Sequence, residues 1–462
     1  MNITLNQLSD QIWEFAETGF LETKSCHAMC QYLEGEGFIV TKGIAGMETA
    51  YKGIWGSGKP VITFLAEYDA LFGMSQKADL FEYAPLGSNE NPGHGCGHHL
   101  LGVGAIAAAV EYRDYLKNHQ LEGTVQILGC PAEESGSGKA YLARDGYLDD
   151  TDIALTWHPG QFNQVHTGSS QSCISVNFRF HGISSHAAGS PHLGRSALDA
   201  CELMNVGVNY LREHMESTDR VHYAYLNVGG KAPNVVQSEA ELKYFIRSTN
   251  NPKALKLYDR VINIAKGAAM MTETSVDVLF DEGLSNTIPN FVIEDILENA
   301  FHKVLSPIYT EEELAYAENF KNTTPLERIN IPQKALDKEA IKKIISSQSI
   351  HSGFMKCAHS EECGMGSTDV GDISWVVPTG QINTACFAIG AGSHSWQWVA
   401  QGKSSIAHKG MQYAGKILAQ AAIEFHSNPE LIQKAKDEFN QRLGQDVYQC
   451  LIPKDVKPHL ID

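Results

Sequence analysis

The chain has 462 residues, 43% of them hydrophobic and 19% charged, a balance that excludes both a disordered tail and a coiled coil. At roughly 150 residues per domain, this length accommodates two or three domains. The formal net charge of −18 repels a phosphate backbone, so nucleic acid is not an expected partner.

The opening segment, MNITLNQLSDQIWEF, has neither a basic n-region nor an apolar h-region. No stretch approaches the roughly 18 apolar residues of a spanning helix, so a cytoplasmic protein without membrane contact is expected. Ten cysteines are scattered from Cys26 to Cys450 without the density of a secreted disulfide framework, and most of them read as reduced core residues, Cys96 being surrounded differently. Apolar positions at helical spacing predict a helical opening from Gln7 to Leu33. The runs Val61–Leu65, Val125–Leu128, Ile153–Thr156 and Ala385–Ile389 read as short buried strands. An alanine-rich helix is predicted from Leu101 to Leu116, opened by Gly97-His98-His99. Alternation of this kind argues for an α/β fold with a mainly parallel sheet, whose functional loops lie past the carboxyl ends of the strands.

From about residue 173 the texture changes, because CISVNFRF alternates with period 2, as a strand with one solvated face does. A helix near Gly194–Met215, strands near Val221–Val228 and Glu241–Arg247, a helix near Pro252–Met271 and a strand at Val276–Phe280 follow. That βαββαβ order is the ferredoxin-like plan. The expected organisation is a catalytic domain in two parts, 1–172 and 284–462, with residues 173–283 inserted as a lid. The stretch Ile308–Ser352 is polar and weakly periodic, and reads as an excursion or a helical insertion.

Four segments carry candidate chemistry. Gly93-His94-Gly95-Cys96-Gly97-His98-His99 packs a thiol and three imidazoles among glycines, and suits a zinc- or manganese-like ion. A glycine-rich helix entry with capping histidines explains it equally well. Glu133 and Glu134 follow the Val125–Leu128 strand, where one carboxylate can ligate an ion and the other act as general base. An isolated Glu-Glu pair is usually a solvated loop. His158 and His394 each follow a predicted strand, and agreement among segments at one sheet edge outweighs each alone. Asp69 can orient a ligating imidazole or cap a helix. In the inserted unit, His186, Asn234 and Arg247 are candidates, Arg247 as a carboxylate clamp or as an ordinary surface residue of a strand.

Taken together, AEYDAL (66–71), GHGCGHHLLG (93–102), GCPAEESGSGK (129–139), TWHP (156–159), SSHAAGSPHLGRSALDA (184–200), PNVVQ (233–237), STDVGDISW (367–375) and SHSWQ (393–397) resemble the aminoacylase and carboxypeptidase metallohydrolases. The resemblance spans nearly the whole chain. It implies a metallopeptidase-like catalytic domain with a ferredoxin-like lid and dimerisation domain. It also implies two divalent ions, Mn or Zn, with Cys96 as a bridging thiolate and His98, Glu134, His158 and His394 as further ligands. Glu133 is then the general base, Asp69 and His186 join the catalytic set, and Asn234 with Arg247 hold the substrate's carboxylate. His186 would reach a neighbouring protomer's site, so a homodimer is implied. The branch most similar to this chain is that of the B-type members of two-component hydrolases, and a heteromer with a homologous A subunit is the other partnership it implies. The expected reaction is cleavage of an acyl- or aroyl-amino acid, with p-aminobenzoyl-glutamate as the expected substrate. A dipeptidase, an N-acyl-amino-acid hydrolase of another preference and a non-catalytic metal-binding regulatory subunit are the alternatives.

Two departures stand out. Many relatives carry Asp or Asn where this chain has His99. Relatives outside the branch often carry His at the position of Glu67, which is therefore left out of the ligand set.

Overall fold

The computed structural model describes residues 3–325 and 335–458. Thr4 caps the first helix, α1 (Leu5–Phe15), in a reciprocal box with Gln7, satisfying amides that the first turn leaves free. The single helical opening expected from Gln7 to Leu33 is in fact two helices. Ala16 adopts a left-handed conformation at φ 44°, which turns the chain out of α1 before α2 (Thr23–Gly35) begins.

Next come β1 (Ile39–Lys42), β2 (Tyr51–Ser57), β3 (Val61–Ala66), α3 (His98–His119), β4 (Gly123–Gly129), α4 (Gly138–Arg144), β5 (Ile153–Gly160) and β6 (Gln164–Val165). A second group of elements follows: β7 (Ser172–His181), α5 (Ala197–Leu211), β8 (Arg220–Asn227), β9 (Glu239–Ser248), α6 (Asn251–Thr272) and β10 (Ser275–Leu284). The remainder holds α7 (Phe291–Lys303), α8 (Glu311–Lys321), α9 (Lys338–Ser347), α10 (Val370–Ser374), β11 (Thr379–Ala385), α11 (Trp396–Gln401), α12 (Ser405–Ser427) and α13 (Pro429–Leu443). The polar stretch Ile308–Ser352 thus carries α8 and α9 among its described residues. The strand expected at Ala385–Ile389 lies earlier. It ends at Ala385, and Cys386 to Ile389 form a buried loop, so their apolar run reflects burial and not strand pairing.

The larger sheet has the order β1-β2-β4-β3-β5-β11-β6. Its four central strands, β4, β3, β5 and β11, run parallel, while β1, β2 and β6 pair antiparallel at the margins. The fold is therefore mixed α/β with a sheet that is parallel at its centre. β3 is buried at every position. Ile62 and Phe64 enter the core shared with α3 and α12, whereas Leu65 joins the opposite core with Tyr141 and Ile373. Burial on both faces is why this strand reads as a continuous apolar run. Gly104 lets α3 lie directly on the Trp157 indole, since a Cβ there would fall 2.5 Å from Cζ2. Trp157 Nε1 donates to the Leu101 carbonyl at 2.9 Å, which fixes the end of β5.

The smaller sheet is antiparallel, in the order β10-β7-β9-β8. Val176, Phe178, Leu242, Tyr244 and Ile246 on one face pack against Met204 and Val208 of α5 and Val261 of α6. Beyond Val221, β8 is exposed to its end.

Candidate metal centre

The four central parallel strands deliver the candidate residues to one edge of the sheet. Glu67 and Asp69 follow β3, Glu133 and Glu134 follow β4, His158 lies near the end of β5, and His394 comes after β11. Cys96 and His98 enter from the start of α3. Gly97 makes that entry: its φ is 82°, and a Cβ would sit 2.8 Å from Pro159, so no other residue fits without strain. The His394 backbone N–H donates to the Gly95 carbonyl at 2.8 Å, tying the last loop to the glycine-rich one. Ala132 and His394 themselves adopt left-handed backbone, at φ 57° and 58°. Such conformations cost on the order of 1 kcal/mol each outside glycine and cluster at functional sites.

His98 Nδ1–H donates to Asp69 Oδ1 at 2.8 Å, and Asp69 Oδ2 accepts from the Glu134 backbone at 2.9 Å. His158 Nδ1–H donates to the Pro159 carbonyl at 2.8 Å. Both imidazoles therefore present Nε2 lone pairs to the cluster, the arrangement that metal-bound histidines require. Cys96 Sγ lies 3.3 Å from His158 Nε2, and His394 Nε2 lies 3.4 Å from Glu134 Oε1. Ligand atoms of Cys96, His98 and His158 lie within 4.8 Å of one another, as do those of Cys96, Glu134 and His394. The thiol is common to both sets. Glu67 Oε2, His98 Nε2 and Glu134 Oε1 are buried without a hydrogen bond. Lone pairs turned toward each other in a buried space call for cations between them, and a mixed S, N and O donor set fits ions of the zinc or manganese class.

The electrostatics agree. Burial pushes the Cys96 thiol up, so a thiolate there depends on a nearby cation. Burial, then the charges of Glu67 and Glu134, raise Glu133 well above the usual carboxylate range, which suits it to accept a proton. Burial also acts on Glu134, but the neighbouring His394 and His98 imidazoles outweigh it and hold that carboxyl at about 2.

The three candidates from the smaller sheet lie outside these ligand groups among the described residues. His186 and Asn234 are exposed. His186 Nδ1 accepts from the Gly189 backbone at 3.0 Å, and the Asn234 carbonyl accepts from the Ala187 backbone at 2.9 Å, so the two loops are stitched together. Arg247 on β9 donates to Ser367 Oγ at 3.3 Å, on the wall of a cavity of about 410 Å³ lined also by Gln164, Ser170 and Thr368. His99 is turned away from the cluster, donating to the Gly402 carbonyl at 2.9 Å. Sequence reasoning leaves two further residues without a role, Lys139 and Asp369, and sets Glu67 aside. Lys139 Nζ contacts Glu67 Oε1 at 2.7 Å and Asp369 Oδ1 at 2.5 Å, all three buried. Lys139 and Asp369 lie inside the motifs GCPAEESGSGK and STDVGDISW, but nothing in their spacing announces an ion pair.

Residues 63–449 match the family model for peptidase family M20/M25/M40, and the chain belongs to that family. A family of peptidases acts on amide bonds, so the enzyme class expected from the motifs holds. The chain is 42% identical over 460 residues to the B component of the p-aminobenzoyl-glutamate hydrolase of Escherichia coli strain K12, covering 98% of this chain and 95% of that protein. It is 27% identical to the mouse Xaa-Arg dipeptidase, covering 96% and 90% of the two chains. The solved structure of an aminobenzoyl-glutamate utilization protein from Klebsiella pneumoniae shares the fold, with a TM-score of 0.59 at 17% identity over 91% of this chain and 95% of the other.

Proposed function

We propose that the chain is a metal-dependent amidohydrolase that cleaves p-aminobenzoyl-glutamate to p-aminobenzoate and glutamate. The observation that carries this reading is the convergence of Cys96, His98, Glu134, His158 and His394 on one space, His98 buried and His394 exposed, with Glu133 beside it. Those five residues would hold two divalent ions, Mn or Zn, with Cys96 shared. Bound there, the ions supply Lewis acidity toward the amide carbonyl and lower the pKa of the attacking water. Glu133 Oε2, 4.0 Å from His98 Nε2, takes the water's proton and returns it to the departing amine nitrogen. Asp69 holds His98 in the tautomer and orientation that present Nε2.

Residues 1–172 and 284–462 form the catalytic domain, and 173–283 form a ferredoxin-like lid that doubles as the dimerisation domain. The outer strand and helix of that unit support a homodimer, since Tyr223, Leu226 and Val228 of β8 and its following turn, with Val206 and Tyr210 of α5, are exposed apolar surface. His186 then reaches the neighbouring protomer's site, and Asn234 with Arg247 binds the glutamate carboxylate. The Escherichia coli relative is one component of a hydrolase that also has an A component, and this chain resembles both. That likeness supports a homologous A subunit as the further partner. No disulfide joins the cysteines among the described residues, which supports a reducing, cytoplasmic location. No helix among the described residues is long and apolar enough to cross a membrane.

The test is release of p-aminobenzoate by the purified chain loaded with Mn²⁺ or Zn²⁺, alone and with its A-type partner. Faster turnover of Xaa-Arg dipeptides overturns the substrate assignment. Bound metal without hydrolysis of any acyl-amino acid overturns the enzyme in favour of a regulatory role.

A further inference from the structure

Glu22 stands at the start of α2 and is fully buried, outside the candidate ligand groups among the described residues. Its Oε1 accepts from the Ala132 backbone N–H at 2.8 Å, and its Oε2 accepts from the Thr49 hydroxyl at 2.9 Å. Burying a carboxyl is costly, and this one is turned inward to meet a single backbone amide of the loop after β4.

Ala132 lies in left-handed backbone at φ 57°, a conformation that an alanine keeps only where its surroundings fix it. Two residues on, the Glu134 N–H donates to Asp69 Oδ2 at 2.9 Å. Carboxyl oxygens from two remote segments therefore hold the amides on either side of Glu133, whose Oε2 faces His98 Nε2 at 4.0 Å. The connector 16–22 between α1 and α2 is pressed onto the same loop. A Cβ on Gly19 would fall 2.9 Å from Ala132 Cβ and 2.5 Å from Ser135 Oγ. The connector also reaches the loop after β3, where the Ala70 N–H donates to the Glu17 carbonyl at 2.8 Å. It thereby ties together the two loops that carry Asp69 and Glu133.

We propose that Glu22 is a positioning residue, which holds Ala132 in its left-handed turn and so aims Glu133 at the attacking water. This rests on the reading of Glu133 as the general base. The acceptor oxygen, and not a charge, does the holding. Burial, with the charge of Asp69 adding, raises the Glu22 carboxyl to about 8, so an amide of the same length replaces it closely. Glu22→Gln keeps an oxygen on the Ala132 N–H and turns its NH2 to the Thr49 hydroxyl. Glu22→Asp keeps the carboxyl but draws the oxygen back by about 1.5 Å.

The experiment compares the full wild-type chain with Glu22→Gln, Glu22→Asp, Glu133→Ala and the combination of the last two. Each is checked for folding by circular dichroism and for metal by elemental analysis. Release of p-aminobenzoate gives kcat and KM, and amide hydrogen exchange followed by mass spectrometry reads the peptides that contain Ala132. Glu22→Asp is expected to lose about a hundredfold in kcat, with KM and metal content unchanged, and to exchange the Ala132 amide about tenfold faster or more. Glu22→Gln is expected within about threefold of wild type in both rate and exchange. In the Glu133→Ala background, Glu22→Asp is expected to cost nothing further, because its effect passes through Glu133. A Glu22→Asp chain with unchanged kcat overturns the proposal, as does one that loses metal in step with rate. A Glu22→Gln chain as slow as Glu22→Asp overturns it too, and so does a further loss in the Glu133→Ala background. Should Glu22→Asp fail to fold, Glu22→Met, of similar length but without an acceptor, takes its place under the same expectations. A wild-type chain that hydrolyses no acyl-amino acid removes the general base and the positioning role with it, whereas normal turnover with an equally fast Glu22→Asp removes the positioning role alone.

Discussion

The two sheets of this molecule divide burial very differently. In the larger one, β3 and its parallel neighbours are covered on both faces, and the polar groups at their carboxyl ends are held by fixed partners such as Asp69 on His98 and Pro159 on His158. In the smaller one, helices cover one face, β8 lies open, and the candidate residues His186 and Asn234 are exposed on loops. Precise placement of ligand atoms needs a scaffold packed from both sides. Recognition of a substrate tail or a second protomer needs accessible surface, which the open β8 offers. The contrast supports the proposal that chemistry belongs to one region and recognition to the other.

The sharpest way to break that division is Glu133→Ala. The larger region should keep its metal, read by elemental analysis, while turnover of p-aminobenzoyl-glutamate falls by about a thousandfold or more. An unaltered rate removes Glu133 from the mechanism. Next in size is Arg247→Ala in the smaller region, which should raise KM roughly ten- to a hundredfold with metal content and kcat little changed. A substrate amide in place of the glutamate carboxylate should erase the difference between wild type and variant. A fall in kcat with KM unchanged would move Arg247 from recognition into the chemistry. Smaller again is the effect of Leu226→Asp with Val228→Asp on the open edge of β8. These should shift the chain to the monomer in sedimentation while leaving its melting temperature nearly unaltered, since both side chains are already about half exposed, at 50% and 46%. A dimer that survives places the interface elsewhere.

The same contrast explains what is legible in the amino-acid order. Strands buried on both faces announce themselves as apolar runs, and β3, β4 and β5 are readable for that reason. The rule fails at Cys386–Ile389, where a loop is as buried as a strand. The break between α1 and α2 is hidden because an alanine, not a glycine, occupies the left-handed position at residue 16. At the candidate site, Glu134, His158 and His394 are legible because they stand at or after strand ends, and Cys96 and His98 because a thiol and imidazoles crowd among glycines at the entry to α3. Lys139 with Glu67 and Asp369 is not, because an ion pair between remote segments leaves no spacing in the chain. The smaller region's residues read only through their motifs, and the exposed loops around His186 supply no pattern of burial to add.

The gentlest lever on the comparison is pH, through a carboxyl in the packed region. Glu294 lies on α7, 5% exposed, beside core residues Ile293 and Leu297. Burial raises its pKa to about 8, with a hydrogen bond from Thr167 opposing and the charge of Glu438 adding to the rise. The folded chain thus keeps a proton there that the unfolded chain gives up above its ordinary value of 4.5. Stability from this group is complete below that value and declines as pH climbs from 4.5 toward 8, because the unfolded state binds fewer protons across that window. Glu294→Gln has nothing to ionise. It should melt close to wild type at pH 4.5 and be more stable at pH 8, by on the order of 2 kcal/mol, in thermal unfolding followed at both pH values. An equal response of wild type and variant to pH would mean that Glu294 is ionised in the folded protein. The larger region would then hold a buried charge there, with His359 Nε2 at 4.0 Å and the Arg442 guanidinium as its cationic neighbours.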